Sequence, residues 1–105
     1  MKVSVITVVF NAVDTIEDTI KSVIDQDYED IEHIVIDGGS TDGTLDVIDR
    51  YREKLAVTVS EPDDGIYDAM NKGIDLATGA VVGTLNSDDW YENNSVISRV
   101  VAAFE

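Results

Sequence analysis

The chain has 105 residues, 44% of them hydrophobic and 28% charged, with no cysteine and a formal net charge of -15. That balance describes one small globular domain and excludes a disordered chain, a disulfide framework and a thiolate metal site. The excess of acid, 22 Asp and Glu against 7 Lys and Arg, argues against direct binding to nucleic acid or an anionic membrane face, and it calls for a divalent cation wherever such a protein holds a diphosphate.

Val3 to Phe10 is a largely apolar, β-branched run, the pattern of a strand covered on both faces. It lacks the basic region and cleavage site of a signal peptide, and no run approaches the roughly 20 apolar residues that cross a bilayer; cytoplasmic residence is the expectation. Beyond Asn11, the residues Ile16, Ile20, Val23 and Ile24 share one helical face. Ile31 to Ile36 is a second strand, closed by Asp37 and the turn Gly38-Gly39-Ser40. A helix follows from Thr41 or Asp42 to Arg52 or Glu53, with Leu45, Ile48 and Tyr51 turned inward. Leu55 to Val59 forms a weaker third strand, and the run from Glu61 to Gly65 breaks the chain.

Ile66, Ala69, Met70, Gly73, Ile74 and Ala77 make the clearest helical stripe, which Gly79 is expected to cap. Ala80 to Leu85 is the fourth strand and ends on Asn86-Ser87-Asp88-Asp89. Val96, Ile97, Val100, Val101 and Phe104 form a last amphipathic helix. The order βαβαβαβα predicts an α/β domain with a mostly parallel sheet and helices on both faces. The expected strand order is 3-2-1-4, which makes the crevice between strands 1 and 4 a topological switch point, where such folds bind ligands.

Polar residues collect where that rule wants them. Asn11 follows strand 1, Asp37 strand 2, Glu61 to Asp64 strand 3, and Asp88-Asp89 strand 4. Two carboxylates in one short turn repel unless a cation or a donor-rich ligand lies between them, so Asp88 and Asp89 are candidate ligands for Mg²⁺ or Mn²⁺. The alternative role of Asp89 is to cap the helix that follows. Asp37 beside two glycines suits a hydrogen bond to a base or sugar hydroxyl, or else a plain strand-to-helix turn. Lys72 is either a point charge for a diphosphate or a solvated lysine. Trp90 and Tyr91 either shape a sugar pocket or pack under the last helix. His33 is assigned no role.

The stretches VSVITVVFNAVDTIEDTIKSVIDQDYEDIEHIVIDGGSTDGT and SEPDDGIYDAMNKGIDLATGAVVGTLNSDD, with the spacer between them, closely resemble the family 2 glycosyltransferases, which have the GT-A fold. The match runs from Val3 to about Tyr91. The resemblance implies transfer of a sugar from a nucleoside diphosphate sugar, a UDP-sugar in particular, to an acceptor hydroxyl with inversion at the anomeric carbon. Carried over by position, Thr7 to Asn11, Val9 among them, line the nucleobase pocket, largely through backbone, Asp37 binds base or ribose, and Asp64 helps close the nucleotide site. Asn86 to Asp89 matches the metal motif written Asp-x-Asp, with either Asp88 or Asp89 as the direct ligand.

Two departures stand out. Asn86 replaces an acid found in many members. Family members also continue through acceptor-binding elements and a general base, so residues 1–105 are expected to be the donor half, with the acceptor half and the base absent. Asp63, Asp64 and Glu92 are chemically able to take a proton but belong to the donor side. The acceptor is not specified, and apolar surface left by a missing half favours homo-oligomers. Another reading is a regulatory module that keeps the fold without turnover. A phospho-acceptor signalling domain fits less well, because Asn11 stands where it needs an acidic pair. The absence of G-x-x-x-x-G-K-[ST] excludes a P-loop enzyme.

Overall fold

A computed structural model describes residues 1–105. The elements in chain order are β1 (Val3–Val9), α1 (Ile16–Ile24), β2 (Ile31–Asp37), α2 (Thr44–Arg50), a 3₁₀ turn (Arg52–Lys54), β3 (Val57–Ser60), α3 (Ile66–Leu76), β4 (Val81–Thr84) and α4 (Val96–Phe104). The four strands form one parallel sheet in the order β3-β2-β1-β4, as the sequence predicts.

Every residue of β1 is buried, since it has a helix layer on both faces and lies between β2 and β4. Its side chains divide by parity. Val3 and Val5 pack with Val23 of α1, Leu85, and Ile97 and Val101 of α4. Val9 joins Val35, Ile16 and Ile20 of α1, and Val47 and Ile48 of α2. Ile6 and Val8 point the other way and meet Ile34, Ile36 and Ala69 of α3. Helices α1, α2 and α4 therefore cover one face and α3 the other. No helix is long and apolar enough to cross a membrane.

Several boundaries depart from the sequence expectation, among them the end of α2 at Arg50 and the shorter β4. Helix α2 starts at Thr44, beyond Thr41 and Asp42. Asp42 makes a turn of its own instead: its Oδ1 accepts from the Thr44 amide at 3.0 Å and from the Thr44 hydroxyl at 2.5 Å. Strand β3 begins two residues late, at Val57, with Leu55 and Ala56 linking it to the 3₁₀ turn. Gly79 is not the cap of α3, which ends in extended backbone at Ala77. It passes against β1, where an added Cβ would lie 2.7 Å from the Ser4 amide nitrogen and 2.9 Å from the Lys2 carbonyl oxygen.

The amino edge of the sheet is tied by one carboxylate. Glu32 accepts from the Ser4 hydroxyl at 2.7 Å and from the Thr78 amide and hydroxyl, each at 2.8 Å. The Thr78 amide is the main cause of its lowered pKa. This network joins β1, β2 and the α3–β4 connection, and leaves the carboxyl edge for other work.

Candidate functional site

The parallel registry brings the strand ends together. Val9 pairs with Asp37 and Asp37 with Ser60, so β1, β2 and β3 finish level. Strand β4 stops opposite Ile6, and the Leu85 amide bonds to the Ile6 carbonyl at 2.9 Å. The next residues, Asn86 to Asp88, thus rise beside the end of β1. A cavity of about 840 Å³ opens at this edge, within the range of small-molecule sites. Val9, Asn11, Gly38, Asp63, Asn86 and Asp88 are on its wall, with Ile66 and Ala69 at the start of α3.

The loop after β2 is built around Asp37, which is 1% exposed. Its Oδ2 accepts from the Gly39 and Ser40 amides, each at 3.0 Å, and from the Ser60 hydroxyl at 2.9 Å; its Oδ1 accepts from the Ser40 hydroxyl at 2.5 Å. A buried carboxylate requires such donors. The sequence reading gives Asp37 to a base or ribose, or else to a plain strand-to-helix turn; its carboxylate is engaged by its own loop and by Ser60 of β3 and is not on the cavity wall. Ser40 also accepts from the Asn11 amide at 2.8 Å, and the Asn11 Oδ1 accepts from the Thr41 amide at 2.8 Å. Asn11 adopts φ 48°, a left-handed conformation that asparagine tolerates better than most residues. Its side chain therefore fixes the β1 and β2 loops to each other.

Two more of the expected site residues are off the cavity wall. Thr7 is fully buried, with its hydroxyl 2.8 Å from His33 Nε2, so its side chain is in the core and not in the cavity. Asp64 is exposed and off the wall, its amide donating to Asp68 Oδ2 at 3.0 Å. Asp63, one residue earlier, lines the cavity. It approaches Gly38 so closely that a Cβ there would lie 2.9 Å from Asp63 Oδ2. Gly38 thus admits this carboxylate, a role not visible from the Asp-Gly-Gly-Ser string alone.

Lys72 also lies away from the wall. Its Nζ is 3.0 Å from Glu61 Oε1 and 3.5 Å from Asp68 Oδ2, and the bond to Glu61 is the main reason its pKa is raised. Of the acid pair, Asp88 lines the cavity and Asp89 does not. No group of three or more His, Asp or Glu side chains converges to hold a metal. Asp88 and Asn86, with Asp14, Asp42 and Asp63 also on the wall, still fit a hard cation of the Mg²⁺ or Mn²⁺ kind, which takes few protein oxygens and fills its shell with phosphate and water.

Comparison with known proteins agrees with this geometry. Residues 4–105 match the family described as Glycosyl transferase family 2. The chain is 45% identical over 102 residues to an uncharacterized glycosyltransferase of Mycobacterium tuberculosis, covering 96% of this chain and 39% of that protein. Among solved structures it superimposes on S. aureus TarS 1–349 in complex with UDP-GlcNAc, with a TM-score of 0.87 and 30% identity over 97% of this chain and 30% of TarS 1–349. A mannosyltransferase of Pyrobaculum calidifontis, in complex with GDP-Man and Mn²⁺, matches with a TM-score of 0.87 and 30% identity, covering 95% of this chain and 31% of that one. The chain spans well under half the length of these relatives. A four-stranded parallel sheet of order 3-2-1-4, an open cavity at its switch point and a family match over nearly every residue agree: this chain belongs to glycosyl transferase family 2.

Proposed function

We propose that residues 1–105 form the donor-binding half of a glycosyltransferase, which takes a nucleoside diphosphate sugar, a UDP-sugar in the first instance, together with Mg²⁺ or Mn²⁺. The transfer it serves is to an acceptor hydroxyl with inversion at the anomeric carbon. The observation that carries this reading is the cavity at the carboxyl edge of the sheet, with Asp88 and Asp63 on its wall. Similarity to proteins in complex with UDP-GlcNAc, and with GDP-Man and Mn²⁺, supports the ligand class.

The division of labour follows from charge. A nucleoside diphosphate is an anion, and the wall that meets it is acidic, so contact without a cation is repulsive. Asp88 is the carboxylate to hold that cation, with Asp89 in the same turn behind it. A divalent ion supplies Lewis-acid stabilisation of the negative charge that grows on the departing diphosphate. The apolar part of the wall, Val8, Val9, Ile66 and Ala69, gives a flat base or ribose a dry surface. Asn11, held by its two bonds to the β2 loop, keeps that part of the wall rigid. Asp63 presents an acceptor to ligand N–H or O–H groups, with one oxygen oriented by the Gly65 amide at 3.1 Å. The acceptor hydroxyl must lose a proton as it attacks, and that step is assigned to no residue here.

Calorimetric titration with UDP tests the proposal. Tight binding is expected with Mn²⁺ and weak binding in EDTA, and Asp88→Asn is expected to remove about tenfold or more of the metal-dependent affinity. Asp89→Asn has the smaller effect, since its side chain is off the wall. Absence of UDP binding in the presence of Mn²⁺ overturns the reading.

A further inference from the structure

Thr19 is a hydroxyl residue in the apolar stripe of α1, between Ile16, Ile20 and Val23, and it is fully buried. A buried hydroxyl is costly unless it finds a partner, and its partners lie far along the chain. The Thr19 Oγ1 is 2.5 Å from the Asp89 carbonyl oxygen and 3.0 Å from that of Ser87. The carbonyl of Thr15, one helical turn back, is more distant at 3.4 Å. One O–H carries one proton, so the bond centres on Asp89, with Ser87 sharing it at the longer distance.

These carbonyls belong to a single turn. The Asp89 amide donates to the Asn86 carbonyl at 3.0 Å, which closes residues 86–89 as a β-turn with Asp88 at its third position. Asn86, Ser87 and Asp88 face the cavity, and Thr19 grips the turn from the core side. A second fastening lies downstream. Gln26 donates from Nε2 to the Asn93 carbonyl at 2.7 Å and accepts the Ile97 amide on Oε1 at 3.0 Å. The Asp27 amide donates to the Asn94 carbonyl at 2.7 Å. The stretch between β4 and α4 is therefore pinned to α1 near one end and to the residues just after α1 near the other. Only the Thr19 pin lies directly beneath the acid turn.

We propose that Thr19 is a positioning residue for the metal-binding turn: its hydroxyl holds residues 86–89 so that the Asp88 carboxylate is already on the cavity wall before cation and diphosphate arrive. A preorganised ligand avoids the ordering that a mobile turn would undergo on binding. The inference rests on the donor-site reading above, but it concerns a residue outside the cavity and outside the Asn-Ser-Asp-Asp motif.

The test compares Thr19→Val, which keeps the shape and removes the donor, with Thr19→Ser, which keeps the donor. UDP affinity is measured for each with Mn²⁺ and in EDTA, alongside a thermal melt. Thr19→Val is expected to lose about tenfold of the Mn²⁺-dependent gain in affinity while its affinity in EDTA holds, and Thr19→Ser is expected to recover most of that gain. An undiminished Mn²⁺ effect in Thr19→Val overturns the inference, as does an equal loss with and without metal. If wild type shows no Mn²⁺ effect, the donor-site reading itself fails. Amide hydrogen exchange then judges the pin without any ligand. Faster exchange across residues 86–90 in Thr19→Val, and not in Thr19→Ser, is expected; unchanged protection overturns the proposal. Thr19→Ala serves the same comparison should the valine variant fail to fold.

Discussion

His33 lies in the middle of β2, 3% exposed, and burial pushes its imidazole down to about 4. The folded protein therefore keeps the ring neutral where an unfolded chain, titrating near 6.5, already binds a proton. Between those values the unfolded state holds more protons, so stability rises with pH across that window. The contribution is complete above about 6.5 and is lost as pH falls toward 4. Urea unfolding at pH 5 and pH 6.5 should show wild type weaker at the lower pH by about 1.5 kcal/mol from this group alone. His33→Gln should flatten that difference, and an unchanged pH slope would show that the ring is not the titrating group. Nothing around His33 in the sequence marks it out, because a histidine in an apolar strand reads the same whether its ring is dry or wet. Its partner Thr7 was equally opaque: a β-branched residue near a strand end suits either a pocket or the core. Asp37 and Asp63 carry the same lesson. Both are acids at strand ends that accept backbone amides of their own loop, and only the path of that loop decides that Asp37 is off the cavity wall and Asp63 is on it.

At the scale of elements, most of the fold was legible. Apolar β-branched runs and period-3.6 stripes locate all four strands and four helices, because each element must bury apolar surface and the sequence records where it lies. The errors fall where local chemistry competes with pattern. Asp42 turns back on Thr44 and delays α2, and Gly79 serves a close approach to β1 and not the end of a helix. Glycines that admit a neighbour make a testable set. A Cβ at Gly73 would lie 2.4 Å from Ile6 Cγ2, on a side chain that is itself fully buried and has nowhere to move. Gly73→Ala is expected to destabilise by about 1–3 kcal/mol, and Gly79→Ala by a similar amount because β1 backbone blocks it. Gly83 on β4 has nothing within 4 Å of such an atom. Gly83→Ala should therefore be neutral or gain up to about 1 kcal/mol. Equal losses at all three positions in urea unfolding would contradict the packing described for α3 and β1.

For the whole molecule the dominant fact is charge. A net -15 on 105 residues leaves most carboxylates without a cation partner, and ion pairs such as Arg50 with Glu17 at 3.8 Å lie on the surface, where they contribute little. Self-repulsion opposes the compact state, and salt screens it: the Debye length falls from about 30 Å at 0.01 M to about 8 Å at 0.15 M. The melting temperature is expected to rise by a few degrees over that range in differential scanning calorimetry, and a fall would mean that attractive surface pairs outweigh repulsion. Sequence by itself determined the family, through the resemblance its motifs carry, and the βα alternation, the expected strand order and the edge of the sheet on which acids gather followed from hydrophobic pattern and chain order. Tertiary structure alone decided which of those acids face the cavity, that Asp63 and not Asp64 is on its wall, and that Thr19 reaches the turn bearing Asp88. Those outcomes depend on contacts between residues up to 70 apart in the chain, and a linear pattern does not record where one loop's oxygen meets another helix's hydroxyl.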